Sequence, residues 1–247
     1  MFFQFENLSA DWRFEYKYRL SCHQYLQVRS AILPSMRKDK FSLADPQGKY
    51  FVRSLYFDTD TFSNYIEKVN GDSDRVKLRI RTYSPVPSAN VPIRAELKAR
   101  KGITVEKHSA WIDIDAYQHF LKTRHWHEVQ DPVLSEFERY IHLKTQQPKI
   151  IVEYLREGYS NRNEEQIRIT FDHKVRSAHA KTLFPGRPFF RYHHPGIIVM
   201  EIKCLKVQPI WLRSLVSRYG LRTSTNSKYV QGIEVARKDV VKPAWSY

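Results

Sequence analysis

The chain has 247 residues, of which 42% are hydrophobic, with only 8 glycines and 12 prolines. That excludes a collagenous or linker-dominated chain and leaves a globular protein with a sizeable core. Its 41 lysines and arginines against 26 acidic residues give a formal charge of +15, a field that attracts nucleic acid, nucleotides, polyphosphate or an anionic membrane.

Cys22 and Cys204 are too few for a disulfide framework or a zinc site. No stretch approaches the ~18 apolar residues of a membrane span, and the N-terminus lacks a signal pattern. A cytoplasmic location is expected.

Residues 1–12 read as a lead-in, 13–236 as one domain and 237–247 as a basic, mobile tail. A first alternating strand covers 13–20. Ser21 caps a helix over 22–33, which Pro34 ends. Residues 36–40 are a charged connection, and Asp45-Pro46-Gln47-Gly48 is a turn. A strand over 50–57 precedes a helix over 59–69 closed by Asn70-Gly71, with Asp58 read as its N-cap rather than a catalytic acid.

Further strands are predicted over 75–83, 92–100 and 103–114, the last two joined by a hairpin at Lys101-Gly102. Helices follow over 115–122 and 132–143, the second with Asp131 as cap and Pro132 at its first position. Strands over 149–156, 166–173 and 197–205, a helix over 210–218 ending at Gly220, and a final strand over 228–235 complete the pattern.

Val76-Lys77-Leu78-Arg79-Ile80-Arg81 places three cations on one strand face and three aliphatics on the other. The arithmetic recurs in Phe14-Glu15-Tyr16-Lys17-Tyr18 and in Ala95-Glu96-Leu97-Lys98. Such charged faces could meet solvent, or they could line the inside of a barrel while helices cover the apolar faces. Two features favour the inside. Glu15/Lys17, Glu96/Lys98 and Glu201/Lys203 each set a carboxylate beside a lysine, and the opposite faces are apolar enough to need covering. A lumen of unpaired cations would be prohibitively costly; one that is wet, holds carboxylates and binds phosphate and metal is not.

Nine motifs occur in order: Phe14-Glu15-Tyr16-Lys17-Tyr18; Arg53-Ser54-Leu55-Tyr56-Phe57-Asp58-Thr59; Lys77-Leu78-Arg79-Ile80-Arg81; Glu96-Leu97-Lys98; Val105-Glu106-Lys107; Tyr154-Leu155-Arg156; Arg168-Ile169-Thr170-Phe171-Asp172; Met200-Glu201-Ile202-Lys203; and Ser227-Lys228-Tyr229. In these the chain resembles the VTC-type polyphosphate polymerase domain, a branch of the triphosphate tunnel metalloenzymes related to the CYTH enzymes.

The resemblance implies an α+β, predominantly antiparallel fold: a closed eight-stranded tunnel barrel with covering helices. It implies phosphate ligands at Lys17, Lys68, Arg79, Arg81, Lys98, Lys107, Arg156, Arg168, Lys203 and Lys228. Arg79, Arg81, Lys98 and Glu201 would carry catalysis, and Glu201 would hold a divalent cation, Mn²⁺ or Mg²⁺. The superfamily opens on Glu-x-Glu-x-Lys, but Arg13 replaces the first glutamate here, which weakens Glu15 as a metal ligand. No second lysine precedes Ser227.

Asp172 and Glu96 are as suited to pairing with lumen cations as to binding metal. His193-His194 and His125-Trp126-His127 lack a nearby cysteine or spaced carboxylates and read as loop histidines rather than a zinc site. No Gly-x-x-x-x-Gly-Lys loop is present, but phosphoryl transfer needs chiefly positioning and charge stabilisation. The expected activity is ATP-dependent polyphosphate synthesis, with ATP or another triphosphate and inorganic polyphosphate as partners. Hydrolysis of triphosphates in the same tunnel is the enzymatic alternative.

A nucleic-acid-binding module is the non-enzymatic alternative, and no nucleic acid is expected. Phe14, Tyr16 and Tyr18 fall opposite their strand's cations instead of among them, although Tyr83 and Tyr154 share the charged parity.

Overall fold

Apolar and polar residues alternating with period 2 give strands with one face to bury. A computed structural model describes residues 14–101, 104–127, 131–161, 167–204 and 207–240. The elements in order are β1 (Phe14–Leu20), α1 (Cys22–Ile32), β2 (Met36–Lys38), α2 (Lys40–Ala44), β3 (Tyr50–Asp58), α3 (Ser63–Asn70), β4 (Arg75–Thr82), β5 (Ile93–Lys101), β6 (Thr104–Ile112), α4 (Ile114–Thr123), α5 (Pro132–Leu143), β7 (Gln147–Asn161), β8 (Ile167–His179), β9 (Arg191–Tyr192), β10 (Ile198–Cys204), α6 (Ile210–Arg218) and α7 (Lys228–Ala236). The expected lead-in, Arg13, the hairpin glycine Gly102 and the last seven residues of the expected tail lie outside the described residues.

The fold is α+β and mostly antiparallel. One sheet runs in the order β1-β10-β8-β7-β3-β4-β5-β6, with β2 added to β7 and β9 to β8. No ladder joins β1 to β6 among the described residues, so the expected closed barrel is corrected to a sheet that hydrogen bonds do not close. The sheet nevertheless curls: Glu15 on β1 reaches Lys98 on β5, next to last at the far side of the strand order.

Sequence signals set the helix ends. Ser21 accepts from Gln24 N while the Gln24 side chain returns to Ser21 N, a reciprocal cap for α1. Asp131 accepts from Val133 N and Leu134 N ahead of Pro132, opening α5. The expected helix over 59–69 begins only at Ser63, behind Phe62 in the left-handed region. Asp58 still accepts from Asn64 N and Tyr65 N, so it caps α3 from a distance. The expected connection over 36–40 instead pairs β2 with β7.

The strand expected over 228–235 is a helix, α7. Tyr229, Ile233 and Ala236 recur at helical spacing, and Ser227 Oγ accepts from Val230 N. α7 packs on β7 and β8 through Gly232, where an added Cβ would sit 2.8 Å from Ser177 Oγ.

Helices cover the apolar outer faces. On β3, β4 and β5 these are Leu55, Phe57, Leu78, Ile80, Ile93 and Leu97, which pack with Phe120 of α4 and Phe137 and Tyr140 of α5. Tyr18, Leu20, Ile169, Phe171, Met200 and Ile202 pack with Tyr25, Val28 and Ile32 of α1 and Leu212 and Leu215 of α6. Each large apolar side chain so buried contributes about 1.5–3 kcal/mol. The charged faces are thereby left on the inside of the curl. α7 shares that inner side, covering Val52, Tyr56, Ile150, Val152 and Tyr154 with Tyr229 and Ile233.

Candidate active site

Residues directly opposite in an antiparallel pair point to the same face. Register therefore aligns Lys77 with Lys98, Arg79 with Glu96, and Arg81 with Arg94, while Lys98 in turn faces Lys107. On the other wall Lys17 faces Glu201, Glu15 faces Lys203, Glu201 faces Thr170, Lys203 faces Arg168, and Arg156 faces Asp172. Adjacent strands thus bring most of the expected phosphate ligands onto one inner face.

Carboxylates tie these cations together. Glu96 takes Arg79 through its Nε, Lys107 at 2.7 Å, and Arg81 at 4.0 Å. Burial would raise Glu96, but Arg79, Arg81 and Lys107 hold its carboxyl far below the ordinary range. Arg79 also donates to Tyr56 Oη at 3.2 Å, and Arg81 to Ser54 Oγ at 3.0 Å. Against burial, Arg79 and Arg81 pull the Tyr56 hydroxyl below its usual value.

Asp172, fully buried, receives two bonds from Arg156 at 2.6 and 2.8 Å and Lys228 at 2.6 Å. Although burial opposes ionisation, Arg156 and Lys228 bring Asp172 down to about 2. The Tyr154 ring lies 5.1 Å from the Arg156 guanidinium and 5.0 Å from Lys228 Nζ. Asp172 and Glu96 are accordingly cation partners in this structure.

Glu15 and Glu201 form the second acidic centre. Glu15 holds Lys17 at 2.8 Å, and Glu201 holds Lys203 at 3.1 Å. Burial and the Glu201 charge raise the Glu15 carboxyl, yet Lys17, Lys98 and Lys203 leave it below its ordinary value. Glu201 is lower still: Lys203, Lys17, Lys228 and Arg156 outweigh its burial.

Two carboxylates offer oxygen donors alone, which suits a hard divalent ion that also draws on substrate phosphates. Thr170 Oγ1, opposite Glu201, and both polar atoms of the Asn226 side chain are buried with no hydrogen-bond partner among the described residues. Asn226 sits at the same wall, since Lys17 Nζ donates to its carbonyl at 3.1 Å. These orphaned polar atoms, with the all-oxygen donors, fit a site made for an ion and its anionic ligand.

Two lysines are pulled down into the neutral range. Burial first, then Lys68, Arg75 and Lys98, lowers Lys77 to about 7. Burial and Arg79, against the pull of Glu96, lower Lys107 to about 7. Lys68, in the last turn of α3, is lowered by burial, Arg75, Arg100 and Lys17, which sets it at the edge of the same cationic field. Arg168 is set apart. It pairs with Asp39 at 2.9 Å and Tyr50 Oη at 3.1 Å, and Asp39 reaches it because position 158 is glycine: an added Cβ would meet Asp39 Oδ2 at 2.0 Å.

The sequence reading missed Tyr56, Ser54, Thr170, Asn226 and the α7 setting of Lys228. Strand parity could have placed Tyr56, Ser54 and Thr170 on the charged face; Asn226 and α7 depend on tertiary packing.

The VTC domain family matches residues 12–237, and the chain belongs to that family. No curated protein sequence matches it.

Among solved structures it is similar to a Bacillus halodurans protein described as a "putative adenylate cyclase". Identity is 12% and the TM-score 0.54, over 88% of this chain and 94% of that one, a likeness of fold. It is also similar to a Vibrio parahaemolyticus protein of the same description (11%, TM-score 0.42, 93% and 97%) and to the Mimivirus capping enzyme triphosphatase (9%, TM-score 0.33, 85% and 89%).

Proposed function

We propose that the chain is an ATP-dependent inorganic polyphosphate polymerase that works inside the curl of its sheet. The observation that carries this reading is the concentration on the inner face of Lys17, Arg79, Arg81, Lys98, Lys107, Arg156, Lys203 and Lys228, paired with Glu15, Glu96, Asp172 and Glu201. Membership in the VTC family supports it.

In the proposed reaction, a terminal oxygen of the growing polyphosphate attacks the γ-phosphorus of ATP. The bond from that phosphorus to the β–γ bridging oxygen breaks, and ADP leaves with the electron pair. Arg79, Arg81 and Lys98 hold the transferring phosphoryl and neutralise charge on its oxygens as the bond breaks. Arg156, Lys203, Lys228 and Lys17 hold the flanking phosphates on the opposite wall, with Lys107 and Lys68 toward the edges and Arg168 reaching in from its Asp39 pair. Glu201, with Glu15 beside it, would hold Mn²⁺ or Mg²⁺, which supplies Lewis-acid polarisation of the phosphoryl oxygens when bound.

A second reading, hydrolysis of the triphosphate, is favoured by one observation. Glu15 lies within the field of Glu201, so a carboxylate pair persists without the glutamate that Arg13 replaces. Purified protein given γ-labelled ATP with Mn²⁺ or Mg²⁺ decides between them. A polymerase yields ADP and an acid-labile labelled polymer, and gains rate from a short polyphosphate primer. Label recovered wholly as orthophosphate, with no primer effect, overturns polymerisation in favour of hydrolysis.

A further inference from the structure

On the outer surface, away from the cationic face, three potential metal ligands converge where sequence reading leaves only loop histidines. Glu138 and His142 stand one turn apart on α5, and His125 comes from the segment after α4. Each offers one ligand atom, and all of these lie within 4.8 Å of one another. His125 Nδ1 is 2.8 Å from Glu138 Oε1, and the two imidazole rings stack at 4.7 Å between centroids.

The groups are pre-oriented by backbone. Glu138 Oε2 accepts from Trp126 N at 2.8 Å, and His142 Nε2 meets the Arg124 carbonyl at 3.2 Å, leaving Nδ1 of His142 as its lone-pair nitrogen. Hydrogen bonds of this kind, which fix ring orientation and carboxylate direction, are what metal-binding histidines and glutamates require.

A surface cavity of about 320 Å³ adjoins the cluster, lined by Trp126, Ser135, Glu138, Arg139 and His142. Trp126 is buried, and its indole Nε1 is a donor with no hydrogen-bond partner among the described residues.

We propose that His125, Glu138 and His142 form a transition-metal site of zinc type, independent of the divalent ion of the phosphoryl-transfer reading. Two imidazoles select Zn²⁺, Co²⁺ or Ni²⁺ over Mg²⁺, which takes oxygen ligands. Three protein ligands leave a fourth tetrahedral position open to water or a small ligand, and the adjoining cavity gives it room. Tetrahedral ligands bound at about 2.0–2.1 Å stand roughly 3.3 Å apart, so the ion enters with an opening of a few tenths of an ångström between His125 and Glu138. The ion would tie the segment after α4 to α5 behind β5 and β6.

The test uses protein free of any polyhistidine tag, titrated with Co²⁺ and followed in the visible spectrum. Intense tetrahedral bands saturating at one equivalent are expected, displaced by Zn²⁺ and indifferent to millimolar Mg²⁺. His142→Ala and His125→Ala, both at exposed positions, should remove the bands while retaining metal-free thermal stability. Glu201→Gln should keep them. No saturable tetrahedral signal in the parent protein, bands that survive both histidine substitutions, or bands lost in Glu201→Gln under conditions where circular dichroism shows that variant folded would each overturn the site.

Discussion

Glu15 Oε2 on β1 lies 3.6 Å from Lys98 Nζ on β5, although six strand-to-strand steps separate the two in the sheet. The same carboxylate holds Lys17 at 2.8 Å and feels the charge of Glu201. It therefore bridges the seam that no ladder closes among the described residues, and it stands beside Glu201, the residue proposed to hold a divalent ion.

Replacing Glu15 with Gln should raise the metal concentration for half-maximal activity by about tenfold, the lower end of what an outer partner of a metal site costs. The melting temperature should move little, because Glu15 and Lys98 keep 26% and 45% of their side-chain exposure and such pairs contribute about 0–1 kcal/mol. Activity titrated with Mn²⁺ beside a thermal scan measures both. An unchanged metal requirement would make Glu15 an ionic stitch and nothing more.

Glu201→Gln should behave differently. Its carboxylate is buried among Lys203, Lys17, Lys228 and Arg156, so its loss leaves those charges under-compensated. A destabilisation of about 3 kcal/mol is expected, and turnover should be absent at every metal concentration. Tripolyphosphate should restore more thermal stability to the variant than to the parent, because an anion replaces the missing counter-charge. Normal turnover at saturating metal would return Glu201 to a structural pairing with Lys203.

The strands were legible because their period of 2 coincides with a one-sided distribution of charge, as at Lys77, Arg79 and Arg81. The ends of α1 and α5 were legible because Ser21 and Asp131-Pro132 act locally. α7 was not: Val230, Ile233 and Val235 are β-branched, and what makes the segment helical is docking of Gly232 against Ser177, a contact between distant parts of the chain. The cations of the inner face could be picked singly. Their division among carboxylates could not, since whether Asp172 serves Arg156 and Lys228 or a metal depends on register and on α7. His125 reads as an isolated loop histidine until the fold sets it against Glu138 and His142.

Lys77 and Lys107, both lowered to about 7, make anion binding a proton-coupled event. A bound triphosphate stabilises the ammonium forms and raises both values. Between about pH 7 and the ordinary lysine value near 10.4, binding should take up protons, as many as two per triphosphate, and affinity should fall as pH rises. Calorimetry at pH 8.5 in buffers of different ionisation enthalpy measures the uptake, and Lys77→Met should remove about half of it. In the same window the unfolded chain binds more protons than the ligand-free fold, so these two groups make stability increase with pH. Buffer-independent binding heats would show that neither lysine titrates with ligand.

Tyr229 of α7 donates its hydroxyl to Asp58, the carboxylate that also accepts from Asn64 N at 2.9 Å and Tyr65 N at 3.1 Å to start α3. All of these groups are buried, and burial raises Asp58 in spite of its donors. Tyr229→Phe preserves the ring that packs 5.4 Å from Tyr56 but strips one donor from a buried acceptor, which should cost about 1–3 kcal/mol. Lys228 is the adjacent residue and reaches Asp172 only while α7 keeps its seat, so a loosened helix should also blunt the cationic wall. The expected outcome is a lower melting temperature together with weaker triphosphate binding. Asp58→Asn should cost at least as much stability, because its amide nitrogen must replace an oxygen that accepts a backbone N–H from Thr59 and Asn64 or from Tyr65. If Tyr229→Phe melts like the parent and binds triphosphate equally well, the Asp58 bond does not hold α7 in place, and Lys228 is positioned by Asp172 alone.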